Sequence, residues 1–305
     1  MKHRYGKPND RSLTLERLKG IFGHPEPPKT VTERQFDYAQ EKLVELAGTS
    51  LEQMNLVELQ RYYYDDLRYV ELQPELFDYL FPACLWDWHL SLQASEDRTD
   101  FHDALLERRL FDVMLTAWQR QQVFLFLQDS ALERLHQERG LITQELTQAP
   151  YRWLQRWNTL GLLLPDVSRL WVEWERLGSV GHAVAAVQYV ALFMYFSDEH
   201  PLWRHLIPRN RPRNSVGYPT PWTCDCSNDS RGWLFENIQF FESFWSVQKL
   251  SDWLSRSVQR LAGEPEEDQA RMILVDFPDR AELVASRLQE LPSHLLQMDR
   301  CGWDV

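Results

Sequence analysis

AVAAVQYVALFMYF, residues 183–196, is the longest apolar run in the chain, and it constrains the fold more than any other stretch. It is broken only by Gln188 and is too short to span a bilayer, which takes about 20 apolar residues. It shows no polar face, so it predicts a helix buried on all sides at the centre of a helical core. The segments around it carry helical rhythm as well. TERQFDYAQEKLVELAG offers Thr32 and Gln35 as a capping box, then a stripe of Phe36, Ala39, Leu43 and Leu46, with Gly48 as the stop. Ser50 opens a similar signal, and LTLERLKGIFG (13–23) predicts a short helix. Further helices are expected at 55–70, 74–92, 99–112, 117–139, 150–161, 165–177 and 181–197. After a long loop come 233–245, 247–262, 265–274 and 279–290. Pro82 is expected to break or kink the helix from Pro74.

No run alternates cleanly between turn residues, and no Asn-Gly or Asp-Gly hairpin signal occurs. The fold class expected is therefore mostly α, an irregular multi-helix bundle. It carries one long Arg- and Pro-rich loop at about 200–232, which has room for a small hairpin. Residues 1–30 read as a flexible tail and linker, ending in the proline-rich HPEPPKT. Residues 31–305 read as a single α-helical domain, with a C-terminal helical section at about 233–292 docked on it. The 13 Trp and 15 Phe point to a core built on large rings, and Trp153 with Trp157 and Trp171 with Trp174 have the spacing of interhelix contacts.

Several function classes fall away. No G-x-G-x-x-G and no G-x-x-x-x-G-K-[ST] cradle for phosphates is present, nor H-E-x-x-H, nor G-x-S-x-G. A formal charge of −12 argues against general nucleic-acid binding. The charge is unevenly placed: residues 1–35 carry 8 Lys/Arg against 4 Asp/Glu, and the remainder carries 25 against 41. The polar N-terminus lacks the apolar stretch of a secretory signal, and four cysteines are too few for a disulfide framework, so a cytoplasmic setting is expected.

Individual residues offer limited chemistry. Glu133 and His136 form a single Glu-x-x-His pair where a di-iron bundle needs two such pairs and two further glutamates. His182, at the start of the apolar helix, is either a buried general base or, the more ordinary role, a histidine bonded to a backbone carbonyl at a helix end. His102 has still less to recommend it. Cys84 reads as a small core hydrophobe.

Two surfaces stand out. In NLVELQRYYYDDLRYVEL, the residues Leu56, Leu59, Tyr63, Leu67 and Val70 share one arc at 100° per residue and form the core face. Glu58, Tyr62, Asp65 and Tyr69 form a second stripe. Interleaved acid and tyrosine suit contact with a basic protein partner, because tyrosine brings large area at low entropy cost. The other surface is the loop. Arg204, Arg209 and Arg211 with Trp222 are candidates for holding an anion or a ligand. His200, His205, Cys224 and Cys226 are the candidate metal ligands there. Their C-x-C spacing is tighter than a zinc knuckle's, so no cofactor is expected, with zinc as the alternative.

These features converge on a non-catalytic interaction protein that binds a basic partner, of the inhibitor or immunity type that a bacterial system would use. The alternative is an enzyme or small-ligand binder with an anion-binding, zinc-containing site under the 200–232 loop.

Overall fold

The structure is a computed structural model and describes residues 12–32, 40–96, 99–142, 151–196, 199–202, 221 and 232–297. Among these residues every regular element is a helix, and the fold is mostly α. They group into two compact units, which divide near Ser130.

The first unit contains α1 (Leu15–Ile21), α2 (Gln40–Gly48), α3 (Leu56–Arg61), a π turn (Tyr62–Asp66), α4 (Leu67–Tyr69), α5 (Pro74–Ala94), α6 (Thr99–Glu107), α7 (Leu110–Val113) and the start of α8 (Ala117–His136). Local chemistry explains several starts. Thr14 accepts from the Arg17 N–H at 3.2 Å and caps α1, and Asn55 accepts from the Val57 N–H at 2.9 Å to cap α3. Ser50 begins only a 3₁₀ turn, Leu51–Gln53, and makes no side-chain cap. Arg109 adopts left-handed geometry at φ 50° and separates α6 from α7, where a single helix was expected. The core forms around α5, with Phe22, Phe77 and Phe101 in ring contact with Phe81. Thus α1, within the stretch read as tail and linker, buries Leu18, Ile21 and Phe22.

The helix α5 runs through Pro82 without interruption. Proline removes one helical hydrogen bond and crowds the preceding turn. Here Phe77, Leu80, Phe81, Leu85 and Trp88 are all buried on the same helix, and their packing holds the segment together.

The second unit holds the end of α8, then α9 (Tyr151–Leu163), α10 (Ser168–Glu175), α11 (Val180–Met194), α12 (Phe235–Phe244), α13 (Val247–Arg260) and α14 (Glu267–Gln297). α11 is the expected central helix. Ser179 caps it by accepting from the His182 N–H at 3.1 Å, and every residue from Ala183 to Met194 is buried. α13 and α14 pack on it and on each other. α14 is one helix of 31 residues, where a break near Pro278 was expected. Pro278 lies on the exposed side, and the buried Ile273, Phe277 and Val284 keep the helix seated.

The middle of this unit is a ring cluster. Trp171 lies 5.0 Å from Trp157, 5.2 Å from Trp174, 5.1 Å from Tyr189, 4.6 Å from Phe241 and 5.8 Å from Trp245, measured between ring centroids. Trp153 and Trp253 extend it through Trp174. Several indole N–H groups, including those of Trp153, Trp157 and Trp171, meet no hydrogen-bond acceptor among the described residues. Their mostly edge-to-face geometry leaves ring faces as the available partners.

No single helix among the described residues is long and apolar enough to cross a membrane.

Candidate functional site

The π turn is the most informative place in the first unit. The Leu67 N–H bonds to the Tyr62 carbonyl, five residues back, so one extra residue is fitted into the helix. A helix drawn at 100° per residue therefore loses its register here. Side chains after the turn are rotated by about one residue position relative to those before it.

The turn is tied down by polar contacts, buried at Tyr63–Asp87 and reaching the surface at Glu107. The Tyr63 hydroxyl donates to Asp87 Oδ2 at 3.0 Å, and its ring lies 5.2 Å from Phe101. Arg68 donates from Nε and Nη2 to the two oxygens of Glu107, at 2.6 and 2.5 Å, and lies 3.4 Å from Asp103. That bidentate pairing fixes the guanidinium plane, which also lies over the Tyr69 ring at 5.2 Å. Deeper in, Trp88 Nε1 donates to His102 Nε2 at 2.7 Å. His102 is fully buried, so it serves the interior and not a surface.

On the outer side Tyr64 and Tyr69 are 46% and 63% exposed, and their rings meet edge to face at 6.4 Å. Val57 adds an exposed apolar side chain on the same helical segment, and Asp65 is half-buried beside the two tyrosines. No ion pair reaches Asp65 among the described residues.

The expected stripe of Glu58, Tyr62, Asp65 and Tyr69 does not form one exposed face. Tyr62 is only 3% exposed, because it lies three residues after the buried Leu59 and so on the same side of the helix. Glu58 is already engaged by Lys42 at 3.2 Å and by Arg61 at 3.3 Å, which removes most of its pull on an outside cation. Asp65 and Tyr69 remain at the surface, and Tyr64 and Val57, absent from the expected stripe, join them. On the expected core face, Leu59, Tyr63 and Leu67 are buried, while Leu56 is 38% exposed. Of the three tyrosines, Tyr62 and Tyr63 flank the direction of the buried Leu59, and Tyr64 lies well away from it.

The histidines of the second unit have structural partners. His182 Nε2 lies 3.2 Å from the Leu132 carbonyl near the end of α8, and burial pushes its pKa down. This is the backbone-bonded role. His136 stands 6.0 Å from it, ring to ring, and Glu133 adds a weak charge effect from the same helix.

Of the loop candidates only His200 is among the described residues; Arg204, His205, Arg209, Arg211, Trp222, Cys224 and Cys226 lie outside them, as does nearly all of the stretch allotted to a hairpin. His200 is 2% exposed, and its Nδ1 accepts from the Leu202 N–H at 3.3 Å. Burial, and then the Arg287 guanidinium, hold its pKa down at about 3. A neighbouring guanidinium also disfavours a metal cation at this ring. Among the described residues no three His, Cys, Asp or Glu side chains gather as a metal would require. Cys84 is buried and free, and burial drives its thiol pKa well up, away from reactivity.

Both flanks of the Arg-rich stretch are anchored on α14. Arg287 donates to the carbonyls of Leu192 and Tyr195 at 2.5 and 2.7 Å, closing the C-terminal end of α11, and Tyr195 donates to Asp276 at 2.8 Å. On the far side, the Trp233 N–H donates to the Leu295 carbonyl at 2.7 Å, and the Trp233 indole lies against Gly161. A Cβ at Gly161 would fall 2.1 Å from the indole Cε2, so only glycine admits that ring.

No protein-family model, curated protein or solved structure matches the chain.

Proposed function

We propose that the chain works by holding a protein partner, with the outer side of the π turn as its contact surface. The observation that carries this reading is the exposed Tyr64–Tyr69 ring pair, set on a turn whose inner side is locked by Tyr63–Asp87 and Arg68–Glu107. Two exposed aromatic rings on a rigid support lose little entropy on binding, and tyrosine is enriched among residues that dominate interface energetics. π turns within helices recur at functional sites. Asp65, with no ion pair among the described residues, supports a cationic group on the partner. The acidic contribution is smaller than four stripe residues implied, since Glu58 is already paired. An inhibitor or immunity-type protein that covers part of a basic partner is the form this reading takes.

The test compares full-length wild type with the Tyr64→Ala/Tyr69→Ala double variant in cross-linking pull-downs from the source cells, at low and high salt. Both side chains are exposed, so helical content is expected to match by circular dichroism. The wild type should retain a basic protein, and the double variant should bind it at least about tenfold more weakly, which corresponds to the loss of one strong contact residue. Raising the salt should weaken the wild-type interaction as well. Identical recovery with both proteins at every salt concentration would remove the π turn from consideration.

A further inference from the structure

We propose that the outer stripe of α14 is a second contact surface, which seats a cationic amphipathic helix of a partner protein. Asp268, Met272, Val275, Asp279, Glu282 and Ser286 follow one another at alternating steps of four and three residues. At 100° per residue they fall within an arc of about 80°. All six are exposed, and they lie opposite the buried Ile273, Phe277 and Val284. Val275 is 75% exposed and Met272 63%, and no large apolar side chain among the described residues is more open than Val275. Single exposed apolar residues need no explanation, but these two are neighbours on one face, with carboxylates before and after them.

The charges on α14 are sorted. Each of its arginines is engaged within the chain: Arg271 by Glu267 at 2.5 Å, Arg280 by Glu199 at 2.7 Å, and Arg287 by the carbonyls of Leu192 and Tyr195. Among the acids, Asp276 accepts from Tyr195 and Glu290 from Ser286. The carboxylates of Asp268, Asp279 and Glu282 meet no ion pair or hydrogen bond among the described residues. The unmatched charge on the helix is therefore negative, and it lies on the stripe.

These facts select the occupant. A second copy of this chain would set carboxylate against carboxylate, and like charges opposed across an interface are costly. A strand-adding peptide needs a sheet edge, and the described residues contain no strand. A proline-rich peptide needs an aromatic-lined groove, and the stripe carries no ring. Steps of four and three are the spacing at which one helix packs along another. Met272 adapts its shape to an apolar row, and Lys or Arg beside that row would meet Asp268, Asp279 and Glu282. From Asp268 to Ser286 the stripe runs about 27 Å at 1.5 Å per residue, which a partner helix of about 18 residues would cover. The stripe shares no residue with the π turn, so either surface can fail alone.

The experiment follows fluorescence anisotropy of a labelled Leu/Lys peptide of about 18 residues, its leucines at helical spacing, titrated with the full chain. A peptide of the same composition with scrambled spacing is the comparison. Wild type should bind the amphipathic peptide at least about tenfold more tightly than the scrambled one. Met272→Ser/Val275→Ser and Asp279→Asn/Glu282→Gln should each weaken binding by about tenfold, with unchanged circular dichroism because all four positions are exposed. Tyr64→Ala/Tyr69→Ala should leave this affinity unchanged. No binding, equal binding of both peptides, or stripe variants that bind as wild type does would overturn the proposal. A loss confined to the tyrosine variant would move the binding to the π turn and overturn it too. So would a wild-type dimer in sedimentation that Met272→Ser/Val275→Ser disperses, since the stripe would then belong to a second copy.

Discussion

Alanine at position 181 is expected to destabilise the second unit by about 3 kcal/mol, the upper end of what overpacking costs. α11 begins where α8 ends, and Gly181 is the point of closest approach. A Cβ there would lie 2.0 Å from the His136 carbonyl oxygen and 2.6 Å from that of Leu135. Both obstacles are backbone, so no side-chain rotation relieves them. Moving the helices apart would break a further tie, from His182 Nε2 on α11 to the Leu132 carbonyl on α8. Gly178, three residues earlier, is the control. The nearest atom to a Cβ there is His182 Nδ1 at 3.8 Å, an ordinary contact. Gly178→Ala should therefore lie within about 0.5 kcal/mol of wild type, the usual range where no special feature is touched. Urea unfolding of the two variants beside wild type reads both numbers. Equal midpoints for Gly181→Ala and wild type would show that the two helices do not approach as closely as described.

Removing one ring from the centre of the second unit should cost more. Trp171→Ala deletes a side chain that is 1% exposed and touches five other rings, drawn from α9, α10, α11, α12 and the Trp245 corner. Such truncations typically cost about 3–5 kcal/mol, through lost transfer energy and the cavity left behind. The upper part of that range applies because the neighbours are themselves rigid rings and cannot collapse into the space. Trp171→Phe should recover part of the loss, since a phenyl ring restores some of the edge-to-face contacts. Differential scanning calorimetry of the three proteins orders them as wild type, Phe, Ala. An alanine variant as stable as the phenylalanine variant would show that the ring contacts contribute little beyond filled volume.

The helices at 181–197 and 247–262 were readable from sequence by their apolar content and spacing. The structure adds a serine cap to each, with Ser179 accepting from the His182 N–H and Ser246 from the Lys249 N–H, both at 3.1 Å. The tryptophan pairs at 153/157 and 171/174 were readable too, because indoles four or three residues apart on one helix face the same neighbour. Proline misled the reading at 278, since the rule for an interior proline assumes no compensation, and α14 has three buried apolar anchors around that position. The π turn was not readable. Pattern arguments assume a constant rotation per residue, and the inserted residue shifts the positions that follow it, Leu67 to Tyr69, relative to those before it. The contacts at Gly140 were equally hidden, since Gln188 and Glu266 reach its backbone from positions that nothing local connects.

The ring cluster around Trp171 also has an optical consequence. Indoles with centroids 4.8–5.2 Å apart, as in Trp157–Trp174 and Trp171–Trp174, are close enough for their electronic transitions to mix. Held in fixed, asymmetric orientations, they give the second unit a near-ultraviolet dichroism that disappears when its packing loosens, even if its helices persist. The core that stabilises this unit therefore also reports on it, with no label added.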